Sequence, residues 1–225
     1  YDTPGNAQGV ALSGNYAYVA DGAGGVRVID IADPSNPTEI GSYSAGSALE
    51  ITVADAYAYI VDGWGGLRVI NIADPSHPTQ VGFCDTPGYS YGVDVAGSYA
   101  YIADWGGGLR LVSIASPSNP TEVGFYDMLN DAWGVAVPPG DAHAYVADRG
   151  SGLRVIAIDN PSSPTQVGFI NTPGEAWGVT VMGNYAYVAD RYGGLRIINI
   201  GDPFNPVEAG FYDTPGDARR VTVAG

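Results

Sequence analysis

Apolar residues in this chain come in short runs, each cut off by a cluster of glycine, proline or aspartate. In one stretch, residues 51–54 are a first apolar run (A), 57–61 a second (B), 67–72 a third (C) and 79–84 a fourth (D). DGWGG separates B from C, and such a glycine-rich turn suits a tight hairpin. ADPSHP separates C from D, and prolines at both ends of that loop stop a strand ladder from continuing. LRVINI, the third run, is apolar on both faces apart from one arginine, the pattern of a strand covered on both sides. No segment keeps a helical period over ten residues, so the expected elements are strands.

The pattern then repeats. YAYVADGAGGVRVIDIADPSNP, YAYIVDGWGGLRVINIADPSHP and YAYVADRYGGLRIINIGDPFNP are versions of one segment. Its arginines are Arg27, Arg68, Arg110, Arg154 and Arg196, spaced by 41, 42, 44 and 42 residues. Its aspartates Asp21, Asp62, Asp104, Asp148 and Asp190 keep the same spacings. A period near 42 with four strands each is that of β-propeller blades. The expected fold is therefore all-β, a single propeller domain over residues 1–225 with five full repeats and the first strand of a sixth. YDTPGNAQGVALSG at the start and YDTPGDARRVTVAG at the end agree at 8 of 14 positions. Residues 219–224 are accordingly expected to form the inner strand of another blade. We read the chain as a window of a longer array, with a closed five-blade ring as the alternative. The missing strands then come from further repeats of the same chain or from a neighbouring chain.

The core GLRVINIADPSNPTEVGFYDTPG, with VRVIDI, LRVINI, LRLVSI, LRVIAI and LRIINI at its signature position, resembles the LVIVD-repeat family of β-propellers. The resemblance spans the whole chain. It implies an exported, surface-attached bacterial or archaeal setting, hence an extracellular location, and implies little chemistry.

Composition narrows the partners. Charged residues are 15%, below the usual quarter or so, and the 33 glycines are about twice the average share. The formal charge is -15, which repels nucleic acid and anionic membrane surfaces. No apolar run is long enough to insert in a bilayer. All nine basic residues are arginine. The one cysteine, Cys84, allows no intrachain disulfide and leaves the redox compartment open. The chain opens on Tyr1 instead of Met, so a trimmed or processed start is expected.

The repeat also serves as an internal control for chemistry. His143, His77 and Cys84 each replace an ordinary structural residue of the other repeats, on different strands and turns. A zinc site needs converging ligands and a cysteine nucleophile needs a base; neither can be assembled, and no metal or cofactor is expected. Calcium wants six to eight oxygens, while DGAGG and DGWGG offer one carboxylate each, which leaves calcium a minor alternative. Two carboxylates about 5–10 Å apart suffice for a glycosidase, so a carbohydrate-active enzyme with acids on the channel face stands as the alternative to a non-catalytic module. The Asp and Arg of every repeat are read as a structural staple. An Arg on a strand buried on both faces needs a partner, and the Asp or a carbonyl of the next blade can supply it. In this reading the guanidinium ties the turn to the adjacent blade.

Positions that vary between repeats are the candidates for function. The residue two before the apolar centre of run A is Gln8, Leu49, Tyr91, Trp133, Trp177 and Arg219 in turn, a ring at the channel mouth. On the B–C turns of the same face lie Trp64, Trp105, Arg149, Arg191 and Tyr192. Trp, Tyr and Arg are favoured in binding hot spots. The reading is a binding or scaffold module, with adhesion to a protein or glycan as its task and these residues as its ligand face. The competing readings are that the large side chains plug the channel, or that the chain is a structural unit of a surface layer or filament.

Overall fold

The computed structural model describes residues 1–128 and 130–223. Its strands form five four-stranded antiparallel sheets, one per repeat. Blade 1 holds β1 (Gly9–Ser13), β2 (Tyr16–Ala20), β3 (Val26–Asp30) and β4 (Thr38–Tyr43). Blade 2 holds β5 (Glu50–Ala54), β6 (Tyr57–Val61), β7 (Leu67–Asn71) and β8 (Thr79–Cys84). Blade 3 follows with β9 (Gly92–Ala96), β10 (Tyr99–Ala103), β11 (Leu109–Ser113) and β12 (Thr121–Tyr126). Blade 4 has β13 (Ala132–Ala136), β14 (His143–Asp148), β15 (Gly152–Ala157) and β16 (Thr165–Ile170), with a short 3-10 turn, Arg149–Ser151, in place of the glycine turn. Blade 5 ends the series with β17 (Gly178–Met182), β18 (Tyr185–Ala189), β19 (Leu195–Asn199) and β20 (Val207–Tyr212). The expected A–D order holds in every repeat.

Hydrophobic burial lies between the sheets. Tyr18, Val26 and Val28 of blade 1 pack against Ile51, Ala58 and Ile60 of blade 2. Tyr59, Leu67 and Val69 meet Val93, Ala100 and Ile102 of blade 3. Tyr101, Leu109 and Leu111 meet Val135, Ala144 and Val146, and Tyr145, Leu153 and Val155 meet Ala186, Val188 and Ile198. Side chains alternate between the faces of a strand, so each blade buries one set forward and the other backward. That is why the B and C runs are apolar throughout.

The expected strand over residues 219–224 is not realised. Residues 219–223 carry no strand ladder, and Ala224 lies outside the described residues. The segment nonetheless sits where a sixth inner strand belongs. Gly92 and Gly134 lie against the inner strands of their following blades, so that an added Cβ would meet Trp133 O and Trp177 O at 2.9 Å. One at Gly178 would meet Arg219 O at the same 2.9 Å. Register is kept, and the pairing strand is what this segment lacks.

Candidate functional site

The site rests on a belt of clasps. Each aspartate at the end of strand B is buried, and in blades 1, 2, 3 and 5 it accepts an N–H of the crossover loop that enters its own blade. In blades 1, 3 and 5 that loop reads TPG. There the Thr hydroxyl and the Gly N–H donate to the carboxylate: Thr3 at 2.6 Å and Gly5 at 2.8 Å on Asp21, Thr86 at 2.6 Å and Gly88 at 2.7 Å on Asp104, and Thr172 with Gly174 on Asp190. With the carboxylate so occupied, the arginine stays at ion-pair distance: Arg27 at 3.7 Å, Arg110 at 3.9 Å and Arg196 at 3.8 Å. The Nε of each is buried without a hydrogen-bond partner among the described residues. Blades 2 and 4 have no TPG loop, and there the arginine closes in. Arg68 Nε donates to Asp62, and Arg154 Nε donates to Asp148 at 3.0 Å. Burial pushes the Asp148 and Asp190 carboxyls up, against the pull of these partners.

The staple expectation therefore needs correction on one point. The tie to the neighbouring blade is made by the Asp, through the crossover loop. The Arg works mainly inside its own blade, where it reaches the outer strand: Arg27 to Glu39 at 3.3 Å, Arg68 to Gln80 at 3.2 Å, and Arg110, Arg154 and Arg196 over the rings of Phe125, Phe169 and Phe211; in blades 3 and 5 it also reaches the start of the loop to the next blade, at Asp127 (3.9 Å) and Asp213 (3.4 Å). A guanidinium's fixed fork can meet several such partners at once. On the other side of each turn, the residue after the Asp bridges to the next crossover: Gly22 to Ala48, Gly63 to Ser90, Trp105 to Ala132 and Arg191 to Ala218.

On this belt the predicted face comes together. Tyr91 stacks on Trp133 (centroids 4.2 Å apart, planes 8° apart), and Trp133 on Trp177 (4.4 Å). Tyr89, which the sequence reading passed over, extends the row: it lies 4.8 Å from Tyr91 and 5.3 Å from Trp64, edge-on, and Trp64 lies 6.3 Å from Trp105. The predicted residues Tyr91, Trp133, Trp177, Trp64 and Trp105 are thus on one rim, in two regions. At the channel mouth the rings hide their faces against each other. At the other end Trp64 and Trp105 are exposed, Trp64 at 67%, beside a half-buried Tyr89.

A second row, of charges, flanks the mouth. Asp131 pairs with Arg149 (3.2 Å), Arg149 with Glu175 (3.3 Å), Glu175 with Arg191 (2.7 Å), Arg191 with Asp217 (3.3 Å), and Asp217 with Arg219 (3.9 Å). The arginines also lie over the rings: Arg149 over Trp133 at 5.6 Å, Arg191 and Arg219 over Trp177 at 5.0 and 5.1 Å, and Arg191 over Tyr192 at 4.5 Å. Asp131, Glu175 and Asp217 were absent from the sequence-based candidates. Their signal was available, since they lie two residues before Trp133, Trp177 and Arg219 and share the period.

The hydrogen bond from Arg191, with others from Trp177 and Arg149, lowers the Glu175 carboxyl to about 2. A depressed folded-state pKa stabilises the fold above the unfolded value of about 4.3 and is lost as pH falls towards 2. Carboxyl NMR should place the Glu175 midpoint near 2, and Arg191→Gln should move it back towards about 4.3. An unshifted midpoint in that variant would remove Arg191 as the cause.

Behind the mouth is a channel of about 1050 Å³ lined by the inner strands. Gly9, Gly92, Gly134 and Gly178 occupy one ring of it, and at the two remaining places Glu50 and Arg220 form an ion pair with each other. Asp131, Glu175, Asp217 and Glu50 are thus each paired with an arginine, and His77, His143 and Cys84 lie elsewhere. Among the described residues no group of His, Cys, Asp and Glu converges as a metal site would.

The LVIVD repeat family matches the chain five times, at residues 4–44, 45–86, 87–128, 131–172 and 173–214. Among solved structures, a protein from Lactobacillus plantarum superposes on 94% of this chain and 72% of its own (TM-score 0.83, 17% identity). The computationally designed Ika8 protein covers 97% of the chain (TM-score 0.77, 9% identity), and the chain spans 65% of its length. A chain from a nidogen/laminin complex covers 95%, and 83% of itself (TM-score 0.69, 13% identity). At these identities the likeness is one of fold, that of β-propellers. No curated protein matches the sequence.

Proposed function

The chain belongs to the LVIVD repeat family of β-propellers, and from that premise we propose that it is a non-catalytic binding module of an exported or cell-surface protein, holding a protein partner on the rim around Trp64, Tyr89 and Trp105. One observation carries this reading. Trp105 and Arg191 each hold a left-handed backbone with φ of +47°, where blades 1 and 2 have Gly22 and Gly63 at +55° and +54°. A bulky residue in that conformation costs on the order of 1–3 kcal/mol, and such strain gathers at functional sites. The turn asks for glycine, and the rim holds an indole and a guanidinium there instead.

The choice of a protein over a glycan follows from ring geometry. Sugars stack on open aromatic faces; the mouth rings cover theirs with each other, and at the other end Trp64 meets Tyr89 and Trp105 edge-on, so the rings there offer no flat stacking platform. Trp, Tyr and Arg are the residues enriched in protein hot spots; the rim presents Trp64 and Trp105, and further along it Arg191 lies beside exposed Tyr192. Against the carbohydrate-active alternative stands the state of the acids. A general acid needs a raised pKa, whereas Glu175, beside Trp177, is held near 2. The surface-layer or filament reading has no comparable observation behind it.

Trp105→Gly tests the proposal, because glycine is what the turn geometry prefers. Peptides selected from a displayed random library on the intact chain should bind this variant about tenfold or more weakly, the loss of one hot-spot side chain, while its melting temperature holds or rises. Equal binding by both proteins would refute the rim. A saturable tryptophan-fluorescence response to a glycan panel, lost in the same variant, would reassign the rim to carbohydrate.

A further inference from the structure

Blades 1 and 5 carry uncovered faces that their counterparts bury. Val10 and Leu12, on β1, are 61% and 67% exposed, while Ile51 at the place of Val10 in blade 2 is 4% exposed. Tyr187, Leu195 and Ile197 are half-buried in blade 5, where Tyr59, Leu67 and Val69 of blade 2 are fully packed. The two faces border one slot, which opens from the channel between Val10 and Val19 on one side and Thr180, Val221 and Thr222 on the other.

Two further groups at the slot lack the partner that the other repeats supply. Gly41, Gly82, Gly124 and Gly168 lie so close to the next blade that an added Cβ would fall 2.1–2.3 Å from the carbonyl of Pro75, Pro117, Pro161 and Pro203. Gly210, their equivalent in blade 5, has nothing within 4 Å. In the TPG loops, Thr3, Thr86 and Thr172 donate to an aspartate. Thr214, their equivalent at the slot, turns back to the carbonyl of Gly216 at 2.7 Å, and Gly216 also has open space around it.

We propose that this slot is the seat of the B, C and D strands of a further repeat of the same polypeptide. The required chemistry is specific. Its first strand must end in aspartate to take the Thr214 hydroxyl and the Gly216 N–H. Its C–D loop must bring a proline carbonyl against Gly210. Its two apolar faces must cover Tyr187 and Ile197 on one side and Val10 and Leu12 on the other. The inner segment of that blade already lies in its place, since Arg219 and Arg220 sit against Gly178 as Trp133 and Gly134 sit against Gly92. With inner segment and loop supplied by this chain, a second copy, which has its own hairpins folded into its own blades, is the poorer occupant.

The probe is a peptide of residues 185–212, the chain's own B–C–D unit, added to the intact chain. Saturable binding at one peptide per chain with a raised melting temperature is expected. The peptide with Asp190→Asn should bind about tenfold or more weakly, because charge-assisted hydrogen bonds to the Asp are lost. The chain with Gly210→Val should fold as before and lose binding, since its side chain enters the place of the proline loop. Soluble peptide that leaves melting unchanged overturns the proposal. Self-association of the chain alone that excludes the peptide also overturns it, and assigns the slot to a second copy. Both outcomes are independent of the rim, which Trp105→Gly reports on separately.

Discussion

Asp104→Ala is expected to lower stability by about 3–5 kcal/mol, the cost of removing one partner from a buried charged network. For a chain of this size that is a drop of roughly 6–20 °C in the circular-dichroism melt. Asp104 is fully buried and accepts from Thr86 and Ser90 hydroxyls at 2.6 and 2.7 Å and from the Gly88 N–H at 2.7 Å. The variant leaves the N–H without an acceptor and the two hydroxyls with only each other, 2.8 Å apart. It also removes the one fully buried anion of the three around Arg110. Arg110→Met should cost less, about 1–2 kcal/mol, because Asp104 keeps its three hydrogen bonds and the methionine stem can still pack on Phe125. Arg154→Met should cost more than Arg110→Met, since Arg154 donates directly to a carboxylate without a TPG loop. Equal losses at the two arginines would sink the account in which the loop sequence sets the arginine's distance.

The second large effect is a contrast between two equivalent glycines. Gly124→Ala, on β12, would put a Cβ 2.1 Å from the Pro161 carbonyl and 3.0 Å from Ser162 Cα. Backbone on both sides must shift, so blades 3 and 4 are pushed apart at their outer edge. Overpacking of this kind costs about 1–3 kcal/mol and more where backbone cannot yield, and a loss at or above the top of that range is expected. Gly210→Ala, on β20, meets nothing within 4 Å and should be neutral or slightly stabilising, because glycine weakens a strand. A neutral Gly124→Ala would mean that the blades are free to part at that edge.

Much of this was legible in the chain. The four runs of each repeat fell within one residue of the observed strands in blade 2, because alternation and turn chemistry act over a few residues. The period exposed Asp104 and Arg110 as members of a set, and it placed Trp133 and Trp177 on one ring. Other features were present but easy to misread. Asp131, Glu175 and Asp217 look like ordinary solvated acids until Arg149 and Arg191 are seen between them. Trp105 and Arg191 stand where two other repeats have glycine, a sign of left-handed backbone that only their φ of +47° turned into strain.

The division has a physical basis. By itself the sequence determined the strands, the five-fold repeat, the face that carries the varied loops and the residues every blade keeps, since all of these follow from local backbone preferences and from comparing the chain with itself. Only the tertiary structure decided that Asp, and not Arg, ties one blade to the loop from the last, that the mouth rings stack on each other, and that Val10, Tyr187, Gly210 and Thr214 are left without neighbours. Those outcomes depend on the rotation and spacing between successive sheets, set by side chains packing across a gap between residues some 42 positions apart, and no short stretch of sequence contains that geometry.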